Sequence, residues 1–391
     1  MAAIPVVVRF DPPAWDFNVY RHAMDSVRAG HDPYLDAIAV QNSVHQRAPE
    51  SPLLYGPFLY IYSPMTLPVV KAFGRMPFLA AGALYWLIYA AGVAALSWFG
   101  VNLMEESERR VLGYYVPAAM FFPGLLGSDS VLSGNVAYIL YGAVLVAAAR
   151  ALKTGRWRWF YIAVLAASCV KAPLLTLLTI PILCARRQWF PSLAAAAGGL
   201  ALFAVEPLIW PELFRNYLRS LGLAFSVNRD FGFSPAGLFS GWLFDRRLPY
   251  FPASIIFYAI YAAPLFAVLV YLSRSYLRNE FSTREWLPVM LTGVILLNPR
   301  LIEYDVAPLA LPLAVLCWRM FSANRGMAAT LMRAGSVFLV VNLLAASTWN
   351  LWKLTEGPLL SALFLTGALS LIRSPSVAPE GAGIPVALTE A

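Results

Sequence analysis

Apolar blocks separated by short clusters of arginine and lysine recur along almost the whole 391-residue chain. They stand at about 78–103, 111–127, 134–150, 190–209, 250–273, 286–298, 306–321, 334–350 and 358–372. A helix crossing the hydrocarbon core of a bilayer needs roughly 20 apolar residues, or about 17 at the short end. The expected fold is therefore an all-α polytopic membrane protein with about nine spans, counted from those blocks. Hydrophobic residues make up 60% of the chain and charged residues 13%. A soluble domain carries about 25% charged residues.

The formal net charge is +8. The basic residues flank apolar blocks and form no patch with interleaved aromatics, so nucleic acid is not an expected partner. Cys169, Cys184 and Cys317 lie inside apolar segments, without disulfide or zinc spacing.

The basic clusters set an expected orientation. Arg109/Arg110, Arg150/Lys153/Arg156/Arg158, Arg186/Arg187, Arg274/Arg278/Arg284, Arg319/Arg325/Arg333 and Arg373 should share the cytoplasmic side. Residues 10–77 and loops 127–133, 210–249, 298–305 and 351–357 then lie outside. Three parts follow: an outer-face segment 1–77, a transmembrane helical domain 78–373 and a disordered cytoplasmic tail 374–391. An outer segment 10–77 must be carried across, and "MAAIPVVVRF" is too short to span and is no signal peptide. Either an upstream first helix precedes this stretch or the short N-terminus is translocated unaided; the first is the expectation.

Residues 160–184 carry basic clusters at both ends. One span would put one cluster outside, and two full spans do not fit 25 residues, which rise only about 38 Å. Two half-helices, entering and leaving from the cytoplasm with Lys171 and Pro173 at the apex, satisfy both limits; a long tilted helix is the alternative. A lysine at membrane depth normally faces a polar cavity. Residues 55–77 hold four prolines and two basic residues, which points to a short interfacial helix with Tyr55, Tyr60 and Tyr62 at headgroup level.

The opening stretch, "WDFNVYRHAMDSVRAGHDPY", is polar where the rest is apolar. Phe17, Tyr20, Met24 and Val27 form one stripe of an amphipathic helix, with Asp16 at its start in a capping position. Gly30, then Asp32 and Pro33, ends it.

This stretch resembles the first luminal motif of the polyprenol-phosphate-mannose-dependent mannosyltransferases, glycosyltransferase family 87 of the GT-C class. That motif is roughly Asp-Phe-x-x-Tyr-x-x-Ala, then Gly-x-x-Pro-Tyr, matched here by Asp16, Phe17, Tyr20, Ala23, Gly30, Pro33 and Tyr34. Further similarities follow in order. "YSP" at 62–64 is similar to Tyr-Pro-Pro, and Gly134 and Asn135 to a shortened Gly-Gln-x-Asn helix start. "VKAP" at 170–173 is similar to a Lys-Pro element, "FSPAGLFSGWL" at 233–243 to an Asn-x-Ser loop, and "NPRLIEYDVAPLALPL" at 298–313 to the late motif.

The resemblance implies a GT-C-like helical bundle that moves a hexose, mannose first, from a polyprenyl-phosphate-sugar to a lipid or glycan hydroxyl. It implies an active site on the outer, periplasmic or extracellular, face of a bacterial plasma membrane, among membrane lipids. In this fold an aspartate of the first luminal loop acts as general base, which places that role on Asp16. The substrate-binding residues expected around it are Tyr20, His22, Tyr62, Asn135, Lys171, Arg300, Glu303, Tyr304 and Asp305. Such chemistry needs a base for the acceptor proton and cations for the phosphate leaving group. Arg300 has a fork suited to phosphate, or it pairs with Glu303 or Asp305. Lys171 binds phosphate, holds a carboxylate, or is a structural bridge.

The family often carries a histidine in its late motif, where this chain has Glu303, Tyr304 and Asp305; its histidines, His22, His31 and His45, all lie in the opening segment. No cofactor and no metal are expected, although Asp11, Asp16, Glu303 and Asp305 are the carboxylates that could hold a divalent ion. The competing readings are a transporter or flippase of lipid-linked sugar or polyprenyl phosphate, and a membrane scaffold subunit. Broken membrane helices also occur in transporters. Against that, the two halves show no internal repeat, and the polar residues concentrate on one face.

Overall fold

The fold comes from a computed structural model, which describes residues 14–47, 59–110, 131–228, 232, 234–249, 251–322, 329, 333 and 349–373. The expected span 111–127, most of 334–350, the first ten residues, Asp11, Tyr55 and the tail 374–391 lie outside the described residues. What is described is all-α, apart from an isolated bridge between Gly232 and Leu301.

Helix α1 (Trp15–Arg28) buries Phe17, Val19, Tyr20, Ala23 and Met24, and Val27 is half-buried, so the expected stripe is present and Val19 and Ala23 widen it. Asp16 does not cap it. Ala14 occupies the N-cap, and Asp16 lies in the first turn. Pro33 then starts a second helix, α2 (Pro33–Arg47), because its fixed φ suits a first helical position. Ser63 opens a short 3₁₀ turn, and α3 (Leu67–Gly74) follows it. At eight residues α3 is far too short to span, as the prolines imply, and it packs on α1.

Helix α4 (Phe78–Asn102) is followed by the one-turn α5 (Glu106–Arg109) and by α6 (Ala137–Thr154). The expected hairpin is present. Helix α7 (Arg158–Ser168) stops before Lys171, whose backbone is extended; a 3₁₀ turn over 172–178 and α8 (Thr179–Cys184) return. Near the start of α7 the Tyr161 hydroxyl donates to Gln188 Oε1 at 3.0 Å and lies 3.2 Å from Ser192 Oγ. Both mouths of the segment therefore open side by side, with Lys171 at the turn.

Helix α9 (Trp189–Ile209) leads into α10 (Pro211–Asn228) and α11 (Pro235–Asp245), both inside the stretch expected to be an outer loop. The polar residues that make 210–249 read as a loop include the exposed face of α10, whose other face buries Tyr217, Ser220 and Ala224. Helix α12 (Phe251–Leu277) precedes α13 (Thr283–Leu296). Every residue of α13 from Trp286 to Leu296 is buried. Its uniform apolarity is that of a central helix wrapped by protein, and its 14 residues fall short of a full span. Helices α14 (Glu303–Val306), α15 (Ala310–Ser322) and α16 (Trp349–Arg373) complete the described chain. Helix α16 runs through residues 351–357, which were expected to be a loop.

Among the described residues four helices are long and apolar enough to cross a membrane: α4, α6, α9 and α12. Shorter apolar helices lie between them. At one end of the bundle Arg319 forks onto Glu108, with Nε to Oε1 at 2.6 Å and Nη2 to Oε2 at 2.9 Å. It also donates to the carbonyls of Arg284 and Leu103, so one guanidinium ties the ends of α4, α5, α13 and α15. Arg186 bonds the Leu277 carbonyl at the end of α12, between the same α8–α9 and α12–α13 connections. Basic residues thus gather at that end, and the opening helices sit at the other.

Helices α4 and α6 make the closest pairing. A Cβ on Gly142 would fall 2.8 Å from the Gly92 carbonyl oxygen, and one on Gly92 would fall 2.9 Å from that of Tyr138. Membrane helices approach this closely only over small residues. We expect Gly142→Leu to force the pair apart at a cost of about 1–3 kcal/mol. Thermal unfolding in detergent checks this, with Gly198→Leu as control, because nothing lies within 4 Å of that position.

Candidate active site

The N-terminus of α1 is held by the loop before α6. Ala14 N–H donates to the Leu132 carbonyl at 2.7 Å, and Asp16 N–H and Phe17 N–H donate to that of Ser133 at 3.1 and 3.3 Å. Main-chain carbonyls thus do the work of a side-chain cap. The loop itself is fixed. Ser133 Oγ accepts from Asn135 N–H at 3.0 Å, and Asn135 Oδ1 accepts from Ala137 N–H at 2.9 Å. Gly134 sits between them at φ 73°. A Cβ there would fall 2.9 Å from Trp86 and 3.3 Å from Phe17.

This docking brings the Asp16 carboxylate against Asn135, Ser133 and Tyr304, whose side chains hydrogen-bond to it, and within electrostatic reach of Lys171. The residue keeps some surface, but Oδ2 is buried and has no hydrogen-bond partner among the described residues. Burial pushes the Asp16 carboxyl up to about 6, against the opposing pull of the Asn135 bond, the Lys171 charge and the Ser133 and Tyr304 bonds. Such a group is ionised at neutral pH yet basic enough to take a proton.

Tyr304 is oriented by Trp15, whose Nε1–H donates to its hydroxyl at 2.8 Å. Lys171 Nζ lies 3.7 Å from Asp305 Oδ1 and 5.7 Å from the centre of the Tyr304 ring. It makes no hydrogen bond among the described residues, so its N–H donors remain available to an anion. Asp305 is buried, and its Oδ2 accepts from Ile302 N–H at 3.3 Å. The turn that carries them is backed by Ser234 Oγ donating to the Pro299 carbonyl at 2.9 Å.

On the other flank the Tyr20 and Tyr62 hydroxyls meet at 2.8 Å, and Tyr20 Oη also accepts from Val136 N–H at 3.1 Å. Tyr34 donates to the Tyr62 carbonyl at 2.7 Å, and the Tyr85 hydroxyl donates to the Gly134 carbonyl. Burial, and then the Asp16 charge, raises the Tyr62 hydroxyl well above its ordinary range, so it stays a donor beside the carboxylate.

Of the residues predicted from sequence, Asp16, Tyr20, Tyr62, Asn135, Lys171, Tyr304 and Asp305 come together. Arg300 is partly buried in the same turn, with its N–H on Asn298 Oδ1 at 3.2 Å. The Glu303 side chain lies outside the described residues. His22 is half-buried on α1, with Nε2 enclosed and no hydrogen-bond partner among the described residues. His31 is exposed and pairs with Asp36 at 3.3 Å. Trp15, Ser133 and Tyr34 belong to the site without having been predicted as site residues. Trp15 and Ser133 adjoin motif residues and Tyr34 is one, so proximity to a motif is the signal that could have found them. A cleft of about 280 Å³ beside Glu108 and Arg319 lies at the opposite end and holds none of these residues.

No curated protein and no solved structure matches the chain. Residues 60–244 match the family model of glycosyltransferase family 87. That stretch contains Tyr62, Asn135 and Lys171; Asp16 and the 298–305 turn fall outside it. This match, over just under half of the chain, supports assignment to glycosyltransferase family 87, and with the apolar helices it supports a membrane glycosyltransferase.

Proposed function

We propose that the enzyme transfers a hexose, mannose first, from a polyprenyl-phosphate-sugar to a hydroxyl of a lipid or glycan acceptor. The reaction takes place at the outer face of a bacterial plasma membrane, in a GT-C-type bundle. The observation that carries this reading is the Asp16 carboxylate, held among Asn135, Ser133 and Tyr304 and within reach of the charge of Lys171. A base and a cation side by side are what sugar transfer from a phosphate requires.

The acceptor oxygen attacks the anomeric carbon, and its proton passes to Asp16. The bond from that carbon to the phosphate oxygen breaks, and polyprenyl phosphate leaves with the electron pair. Lys171 stabilises the phosphate as negative charge builds on it, and Arg300 adds its fork from the 298–305 turn. Asp305 holds Lys171 at 3.7 Å, and Tyr20, Tyr62 and Asn135 fix the wall beside the base. The leaving group carries its own activation, so the step draws on no cofactor.

The test uses the full chain in nanodiscs, radiolabelled polyprenyl-phosphate-hexoses and a native lipid or glycan extract. Wild type should transfer label, and Asp16→Asn should lower the rate about 10²–10⁴-fold. Equal transfer by both removes Asp16 as the base. Movement of intact labelled lipid between leaflets without transfer would instead identify a flippase.

The acid limb of kcat/KM should have its midpoint near the raised value of about 6 rather than near the ordinary aspartate value of 3.8. The same shift fixes the sign of a stability effect. The folded carboxyl binds its proton more tightly than the unfolded one, so its contribution favours folding at low pH and fades as pH rises through about 6. Asp16→Asn should therefore melt higher than wild type at pH 8, with the gap closing toward pH 4. A variant that is inactive and also less stable at pH 8 overturns this assignment.

Lys171→Met should raise the KM for the lipid-linked donor more than it changes the affinity for acceptor. A change confined to the acceptor would place the phosphate elsewhere.

A further inference from the structure

Glu206 stands near the end of α9, where the helix shows its surroundings Leu200, Leu202, Val205, Leu208 and Ile209. It is turned the other way and is only 1% exposed. Ser63 Oγ donates to its Oε1 at 2.7 Å, while Oε2 is buried with no hydrogen-bond partner among the described residues. An ionisable group in a membrane helix is costly and normally marks a ligand path. Tying α9 to residue 63 needs one acceptor oxygen, which a glutamine supplies without charge. The second, unsatisfied oxygen has no structural use and carries a desolvation cost.

Its surroundings place it beside the catalytic cluster. Ser63 follows Tyr62, whose hydroxyl meets Tyr20 and whose carbonyl accepts from Tyr34. Glu206 lies within electrostatic reach of Tyr34, Tyr217 and Cys169. Cys169 is two residues from Lys171, and α9 packs on α7 and on the turn that Lys171 opens. Glu206 therefore approaches the site from the Lys171 side. The rings of Tyr34, Tyr217, Phe214 and Phe203 form a continuous aromatic wall along it.

We propose that Glu206 is a second carboxylate of the site, which reads the donor hexose by accepting hydrogen bonds from its ring hydroxyls. This rests on the donor reading given above: if Lys171 holds the phosphate, the sugar attached to it lies one bond away. A carboxylate suits that role because it accepts several hydrogen bonds and donates none. A site built on such an acceptor discriminates strongly against a ligand that lacks the hydroxyl.

The test is equilibrium binding to the full chain in nanodiscs. The probes are radiolabelled polyprenyl phosphate and polyprenyl-phosphate-linked mannose, glucose and galactose, with transfer measured alongside. Glu206→Gln should weaken the hexosyl lipid that wild type prefers by about tenfold or more. It should leave sugar-free polyprenyl phosphate unchanged and leave the melting temperature of the ligand-free protein equal or raised. Glu206→Asp keeps the charge but withdraws it by a methylene, and should lose the same preference; it serves as the second variant. Equal weakening of sugar-bearing and sugar-free lipids, or wild-type binding of both, overturns the inference. Wild type that binds and transfers while Glu206→Gln matches it removes this inference alone. Wild type that neither binds nor transfers any hexosyl lipid removes the donor reading, and the inference with it.

Discussion

The junction between the start of α1 and the loop before α6 holds the rest of the site in place. Three main-chain N–H groups of residues 14–17 end on the carbonyls of Leu132 and Ser133. A helix start that is not satisfied by its own side chains must find acceptors elsewhere, and here it finds them on the element that also carries Asn135. Asp16 and the groups that tune its carboxyl are therefore positioned by the same contacts. Gly134 is required at the centre because its backbone lies at φ 73° and because Trp86 and Phe17 close over it.

Around that junction the fold separates two kinds of polar burial. At one end, the Arg319 guanidinium is surrounded by acceptors: the two Glu108 oxygens and the carbonyls of Arg284 and Leu103. A network satisfied in this way fixes helix ends against one another. At the other end the charged groups are under-partnered. Among the described residues Lys171 has an ion pair at 3.7 Å but no hydrogen bond, and one oxygen each of Asp16 and Glu206 is left over. Such groups lower stability when the site is empty and become useful when a ligand completes them. The contrast follows from chemistry, since a clamp should leave no donor unused and a site must.

Much of this was legible in the sequence because the signals are local. Hydropathy locates α4, α6, α9 and α12, and charge clusters at both ends of 160–184 favour a hairpin with Lys171 at its turn over one long tilted helix. The motif residues Asp16, Asn135, Lys171 and Tyr304 could be named individually. Their meeting could not be read from spacing, because it depends on contacts between elements more than a hundred residues apart. Asp16 looked like a helix cap because the carbonyls that replace it are main-chain groups with no sequence signature. Helix α13 looked like a span because burial in protein and burial in lipid select the same side chains. Helix α10 was missed because its polar face outweighed its buried one. Glu206 stands in an apolar run, where hydropathy counts it only as one tolerated charge.

Glu206 shows where function separates from topology in a membrane protein. Spans are selected for apolar length, and a single carboxylate alters that average little. It alters the energetics considerably, because an ionisable group out of water must be paired, neutralised or completed by a ligand. Asp16, Lys171 and Asp305 partly pair with one another, so each offsets some of the cost of the others. Among the described residues Glu206 has one serine and an aromatic wall. The buried carboxylate with the least structural reason to be charged is thus the one whose charge is best explained by a substrate.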